Sequence, residues 1–333
     1  MKRTPKKLNQ IILITLATST AFMLSACGKN SSEAPKQNPS SPAPAKTAAP
    51  APTPAPAAKK ESADQDKNFT AKLNAYTAGY NKLIGTFGLP ETRQKYFAQN
   101  ISSKSATDNI FITVGWIHLA LNELKRGRTI SSKQLEELDQ SADQLINTLD
   151  KLTTQLNAIE IYYKSKAYKD DNLAKGKAQD PEIRANFDAS IAAMEKFNSV
   201  LTREQKKRNI QVLAKLKEEG NLLGYGTKLA LQQGDELLSL FANEADIKNP
   251  EKYQQADQLI VQLEKTLAEQ REQYAAAKAK NERPDSWHES AASYLTSMVG
   301  SYRDMKQSKK PKDFNEMVSN YNKAVENANR ITH

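Results

Sequence analysis

From Lys67 to the end of the chain, apolar residues recur at spacings of three and four. Strand-type alternation is absent from this reading, so it predicts helix almost everywhere. The longest seam runs through Leu135, Leu138, Ala142, Leu145, Leu149, Leu152, Leu156, Ile159 and Tyr163 without a slip, as the buried stripe of a bundle helix requires. Ser131 and Gln134 are spaced as a capping box at its start. A second seam follows Tyr253, Ala256, Ile260, Leu263, Leu267 and Tyr274. A third follows Ile110, Val114, Ile117, Leu121 and Leu124 and ends at Gly127.

Asp180-Pro181-Glu182 and Asn249-Pro250-Glu251 each offer a capping side chain, a pre-set φ and a carboxylate at a positive helix end. Pro284 and Pro311 mark two further starts, and Gly220, Gly224 and Gly226 break the helix that begins near Pro181. The expected fold class is all-α: an elongated bundle of about seven or eight long antiparallel helices, large enough to bury one core. Ala142-Asp143-Gln144-Leu145-Ile146 recurs as Ala256-Asp257-Gln258-Leu259-Ile260. Leu119-Ala120-Leu121 recurs at Leu229-Ala230-Leu231, and Tyr80-Asn81 at Phe197-Asn198 and Tyr321-Asn322. These echoes suggest two tandem three-helix repeats plus a closing helix pair, against the alternative that Leu- and Gln-rich helices match by chance.

Ahead of the helical region, residues 28–67 are dominated by Pro, Ala, Ser and Thr, with Pro35, Pro39, Pro42, Pro44, Pro50, Pro52, Pro54 and Pro56 among them. Such a segment cannot form a core. As a polyproline II spacer it reaches on the order of 100 Å when extended. Still earlier, Lys2, Arg3, Lys6 and Lys7 precede an apolar stretch, Ile11 to Met23, that is too short for a span and ends in Leu24-Ser25-Ala26-Cys27. That tetrapeptide resembles the lipobox of bacterial lipoproteins, in which cleavage falls just before a cysteine that then receives acyl chains. Cys27 is the single cysteine of the chain. The organisation read from these features is a cleaved signal peptide over residues 1–26, a lipidated Cys27 and tether over 27–67, and a helical domain over 68–333. Gly28, where a retention signal would place Asp, resembles the pattern of lipoproteins passed to the outer membrane, which places the domain in the periplasm.

The formal charge of +10 includes the four positive residues of the signal, and elsewhere Lys and Arg alternate with Asp and Glu. This interspersion disfavours nucleic acid as a partner and leaves the membrane, an envelope protein or cell-wall material.

The run Tyr162-Tyr163-Lys164-Ser165-Lys166-Ala167-Tyr168-Lys169-Asp170-Asp171-Asn172-Leu173-Ala174-Lys175-Gly176-Lys177, with Asn74-Ala75-Tyr76 and Tyr80-Asn81, resembles the YiiG family of bacterial lipoproteins. The resemblance implies a helical, lipid-anchored envelope protein with no assigned activity. Where the family pattern has Leu-His after Gly-Lys, this chain has Ala178-Gln179, so a role resting on that histidine is not carried over.

Two readings of the run stand side by side. Tyr162, Tyr163, Tyr168, Asp170, Asp171, Lys175 and Lys177 could line a pocket for a cationic or sugar-like ligand. Equally, they could lock a helix end and the turn after it. Adjacent Asp170 and Asp171 lack the spaced ligands of a calcium loop.

Catalytic motifs are missing. The histidines are His118, His288 and His333, with no Gly-x-Ser-x-Gly, His-Glu-x-x-His or phosphate-cradling loop, and neither a metal site nor a cofactor beyond the lipid on Cys27 is expected. His118, beside Trp116 on the third seam, reads as a partly buried packing residue, and Trp287-His288-Glu289 as a packing and capping feature. The expected function is a non-catalytic, lipid-anchored binding or scaffold module of the cell envelope. The alternative is a solute- or metal-binding accessory lipoprotein that uses the Tyr/Asp run.

Overall fold

The computed structural model describes the backbone of residues 56–331 and side chains from Gln65 onward; the expected signal peptide, Cys27 and most of the expected tether lie outside the described residues. The chain folds into α1 (Pro56–Ile84), α2 (Leu89–Ala98), α3 (Ile117–Thr129), α4 (Glu136–Lys164), α5 (Ala174–Glu218), α6 (Leu222–Ser239), α7 (Glu244–Lys248), α8 (Pro250–Ala279), α9 (Trp287–Ser308) and α10 (Pro311–Ala328). The fold is all-α, as the spacing of apolar residues predicts. α1 starts at Pro56, within the segment whose composition reads as tether.

Every residue of the first seam, Leu135 to Tyr163, is buried to 4% exposure or less, and α4 carries it between α3 and α5. Each fully buried Leu contributes roughly 1.5–3 kcal/mol relative to an exposed one, so this stripe alone decides which face of α4 turns inward. Around it, one hydrophobic cluster gathers side chains from Phe69 to Leu201. A second cluster gathers Ala230 to Ile331 from α6 to α10, with the Tyr253–Tyr274 seam of α8 packed against α6 and α9. α4 thus lies against α3 and α5, and α8 against α6 and α9. The two units close differently: α1 packs on α3 in the first, and α10 packs on α9 in the second. α5, 45 residues long, spans about 67 Å, leaves the first cluster after Leu201 and packs onto α6.

A polar network ties three helices of the first unit. Asp139 of α4 accepts from Tyr76 and Lys72 of α1, and Arg128 of α3 reaches Asp139 at 3.0 Å and Asp143 at 2.6 Å. Lys72 is only 2% exposed, and Asp139 supplies the counter-charge without which its burial would be prohibitive. Loss of hydration, reinforced by the hydrogen bond to Asp139, pushes the Tyr76 phenol well above its ordinary range. It remains a neutral donor.

Several expected boundaries move. Ile110 and Val114 do not belong to a helix with Ile117; α3 begins at Ile117 and residues 109–114 lie outside any helix. The reason is local, because Ile110-Phe111-Ile112-Thr113-Val114 is β-branched or aromatic throughout and alternates buried or half-buried with exposed positions, a period of two. Gly127 does not end α3, which continues to Thr129. A Cβ there would come within 2.6 Å of the Tyr76 ring, so this glycine permits close approach of α1 and α3. The capping box at Ser131 and Gln134 is not formed, and a short 3₁₀ turn over Lys133–Leu135 leads into α4 instead.

Pro181 lies inside α5, whose start is set upstream at Ala174. Its ring fixes a helix-compatible φ at the loss of one backbone donor. Asp180 pairs with Arg184 in the next turn, at 2.8 Å. Gly220, at φ +70°, separates α5 from α6, while Gly224 and Gly226 lie within α6. The start at Asn249-Pro250-Glu251 holds, with Asn249 Oδ1 accepting from the Glu251 N–H at 3.0 Å.

Asp235 of α6 is half-buried, and loss of hydration pushes its carboxyl up to about 6, with the Lys206 ammonium pulling down and Glu236 pushing up. The native state therefore holds this proton more tightly than the unfolded chain does. The stability it brings is complete below the ordinary carboxyl value and is lost as pH rises through about 6. Asp235→Asn should raise the melting temperature at about pH 7.5 and leave it nearly unchanged at about pH 3.5. An equal shift at both values in thermal denaturation would refute the assignment.

Candidate functional site

The Tyr/Asp run is assembled at the C-terminal end of α4 and the turn that follows. Ser165 ends the helix, Lys166 takes φ +59°, a 3₁₀ turn covers Ala167–Lys169, and Asn172 and Leu173 take φ +52° and +66° before α5 starts. Tyr162, Tyr163 and Tyr168 are 6%, 4% and 2% exposed. Their rings lie against one another, with centroids 5.0 Å apart for Tyr162 and Tyr163, 6.3 Å for Tyr162 and Tyr168, and 6.0 Å for Tyr163 and Tyr168. Their aromatic faces are thereby spent on packing.

Asp171 is the hinge of the turn. Its Oδ1 accepts from the Tyr162 hydroxyl at 2.6 Å and its Oδ2 from the Lys175 N–H at 3.1 Å, fastening the first turn of α5 to the end of α4. The Tyr162 hydrogen bond, followed by backbone donors of Lys175, Leu173 and Ala174, holds this carboxyl below the usual carboxylate range. Burial and the same hydrogen bond push the Tyr162 phenol up to about 12. Lys175 Nζ sits over the Tyr162 ring at 5.4 Å, while Asp170 and Lys177 face solvent. Tyr162, Tyr163, Tyr168, Asp171 and Lys175 are therefore brought together, but as a turn lock, and Asp170 stands apart from them. A ligand could reach the three rings only if the turn opened.

A concave site lies instead beside α2. A groove of about 530 Å³ runs between α2 and the 104–115 segment, floored by Tyr96, Leu156 and Phe187 and edged by Phe87 and Phe111. Glu91, Lys95, Gln99 and Lys104 supply its polar rim. Gln99 holds this segment in place, its Oε1 accepting from the Phe111 N–H at 2.8 Å and its Nε2 donating to the Phe111 carbonyl. Trp116 N–H donates to the Phe87 carbonyl at 3.1 Å, and the two rings lie 6.3 Å apart. Gly115 is required there: at φ +64°, a Cβ would meet the Phe87 carbonyl oxygen at 2.6 Å. The groove escapes a search for titratable clusters, but the five alternating residues 110–114 between Asn109 and Gly115 carry its signal.

Groove and turn lock share a wall. Tyr96 packs on Phe187 with centroids 5.5 Å apart, and both Tyr96 and Tyr163 feel the buried carboxylate of Asp180. Arg184 neutralises that carboxylate and stacks over Phe97, 4.5 Å from the centroid. The Tyr163 hydroxyl itself makes no hydrogen bond to another described residue.

Neither His118 nor His288 lines the groove. His118 is exposed, contrary to the expectation of partial burial. His288 opens α9 and is buried, with Nδ1 2.8 Å from Thr227 Oγ1 and its carbonyl accepting from Gln270 at 3.1 Å, which is a packing role. Among the described residues no group of three or more His, Cys, Asp or Glu is placed to hold a metal ion. No described helix is long and apolar enough to cross a membrane.

A family model for a protein of unknown function, DUF3829, matches residues 67–331. The uncharacterized protein YiiG of Escherichia coli (strain K12) is 26% identical over 204 residues, which cover 56% of this chain and 56% of that protein. The chain thus spans about half the length of this curated relative. No solved structure matches.

If the tyrosines form a turn lock, their hydroxyls differ in value. Tyr162→Phe should lower the melting temperature, whereas Tyr163→Phe should leave it unchanged or raise it, because its hydroxyl is buried without a partner. A Cβ at Gly176 would lie 2.4 Å from that hydroxyl, so Gly176→Ala should be destabilising and partly rescued by Tyr163→Phe in a double-mutant cycle. Equal, additive effects of these substitutions would contradict the lock.

Proposed function

The chain belongs to the DUF3829 family of proteins of unknown function, and since that description carries no activity we propose its role from its own residues: a non-catalytic, lipid-anchored binding module of the cell envelope. Acyl chains on Cys27 hold it to the membrane, the Pro/Ala-rich segment spaces it away, and the helical domain presents the face built by α2 and residues 104–116 to a protein partner. The observation that carries the binding role is the groove, with Phe87, Phe111 and Trp116 exposed at 45%, 75% and 52% around it. Exposed aromatics beside a concavity are where binding energy concentrates, and a domain with two well-filled cores gains nothing in stability by leaving them in water.

The anchor reading is supported by Leu24-Ser25-Ala26-Cys27 behind a basic and then apolar leader. One acyl chain binds a membrane reversibly, at about 0.8 kcal/mol per buried CH₂, and two or three hold it persistently. With Gly28 following the cysteine, the outer membrane is the destination we favour, the domain facing the periplasm. A ligand pocket at the Tyr/Asp run has less in its favour, because the rings are packed together and Asp171 is engaged.

Two measurements test the reading. Wild type should partition with membranes and Cys27→Ser should not; equal partitioning would remove the anchor. A photo-crosslinking residue at Thr113, on the groove, should capture protein in intact cells, while one at exposed Lys177 should capture none. Adducts at Lys177 alone would move the binding face away from α2.

A further inference from the structure

The turn that locks the end of α4 directs its aromatic rings and one carboxylate inward, and what it leaves outside is basic. Between Lys164 and Lys177, five lysines stand against two carboxylates, Asp170 and Asp171. Lys164, Lys166, Lys169, Lys175 and Lys177 are all exposed, and none of them forms an ion pair with another described residue. Asp171 is committed to Tyr162 and to the backbone of Lys175, which leaves Asp170 as the exposed counter-charge within the turn. Beyond the turn, Asp180 is buried against Arg184, and Glu160 and Glu182 lie a helical turn or more away along α4 and α5. The basic run farther along α5 is answered differently, Lys207 pairing with Glu204 and Arg208 with Asp66.

The composition of this end indicates what it fits. All five cations are lysines, point charges on flexible stems, which suit a diffuse array of phosphates better than the fixed bidentate geometry that arginine offers a single carboxylate. Asp171 fastens the turn to both helices, so the charges are held together at one end of the bundle. Ile161 adds an apolar tooth: it is 70% exposed and shares a face of α4 with Lys164 and Ser165 in the next turn. An exposed apolar side chain among lysines whose stems lie along apolar surface suits a lipid headgroup layer, whereas a soluble acidic partner accounts for the lysines alone.

We propose that this end of the first unit binds the headgroup layer of a bilayer containing anionic phospholipid, with Ile161 entering the layer between the lysines. The proposal goes beyond the binding role of the groove and needs neither the groove nor the Cys27 anchor. Its position makes it a second contact. Asp66 and Lys72 hold the first part of α1 against Arg208 and Asp139, about 40 Å along α4 from Lys164. Residues 28–55 reach about 85 Å as an extended polyproline II chain, so a domain moored through Cys27 can lay this end on the same membrane.

Cys27 is the single cysteine, so the full chain carrying Cys27→Ser accepts one label at a chosen site. An environment-sensitive fluorophore on Ile161→Cys should shift to the blue with vesicles of equimolar phosphatidylglycerol and phosphatidylcholine and not with phosphatidylcholine alone. The shift should be lost in about 0.5 M salt. The same fluorophore on Val261→Cys, 68% exposed on α8, should stay unchanged, which separates contact at this end from contact made elsewhere in the chain. Lys164→Gln, Lys169→Gln and Lys177→Gln together should keep the helical circular dichroism and weaken the vesicle response at position 161 by about 100-fold. Lys151→Gln, Lys217→Gln and Lys312→Gln, the same loss of charge at other exposed lysines, should weaken it by less than about threefold. No shift with anionic vesicles, an equal response to neutral ones, an equal shift at both labels, or equal weakening by the two triple substitutions would overturn the proposal. A shift at position 161 with soluble polyglutamate that matches the vesicle response would overturn it in favour of an acidic protein.

Discussion

The burial of one continuous stripe along α4 sets the positions of the other parts of the first unit. With Leu135 through Tyr163 sealed from water, α4 has a single acceptable orientation between α3 and α5, and both of its ends acquire duties. Its first turns present Asp139 and Asp143 to Tyr76, Lys72 and Arg128, closing three helices around a charged network. Its last turns deliver Tyr162 and Tyr163 to the reversal into α5, and between them Leu156 forms part of the groove floor. Slipping the stripe by one residue would rotate all of these side chains by about 100°.

The Tyr/Asp run is the most specific part of the sequence, yet it is used internally. Positive φ at Lys166, Asn172 and Leu173 costs conformational energy at residues with side chains. The cost is offset by three buried rings and by a carboxylate that receives a phenol and a backbone N–H. A specific sequence signature is thus accounted for by a demanding turn. The turn also matters to the groove, because Tyr163 and the groove-lining Tyr96 meet at Asp180, so loosening one would disturb the other.

Energetically the face beside α2 is the opposite case. The two clusters bury their apolar residues almost completely, whereas Phe87, Phe111 and Trp116 remain in water beside the groove. Nothing in the packing of the helices calls for that arrangement. Gln99 bonds both peptide groups of Phe111 and so fixes the segment beside α2, with the Phe111 side chain left in water.

Much of the fold was legible in the chain itself, for reasons of periodicity. A seam at three and four leaves one arrangement that hides it, so α4 and α8 follow from residue spacing alone, as does the start of α8, where Asn249, Pro250 and Glu251 each meet a separate requirement of a helix end. Membership of the family was legible in the Tyr162–Lys177 run. The tertiary structure alone decided matters where several local solutions were affordable. Pro181 could begin a helix or lie within one, and Asp171 with its αL turn settled the start at Ala174. Gly127 could end a helix, and the Tyr76 ring made it a contact point. Ile110 and Val114 fit a helical seam by spacing although their β-branched run disfavours one, and the Gln99 hydrogen bonds to Phe111 decided where the segment lies, beside α2. Spacing along a chain specifies which faces must be buried; which neighbour buries them, and which surface is left over, depends on contacts between residues far apart in sequence.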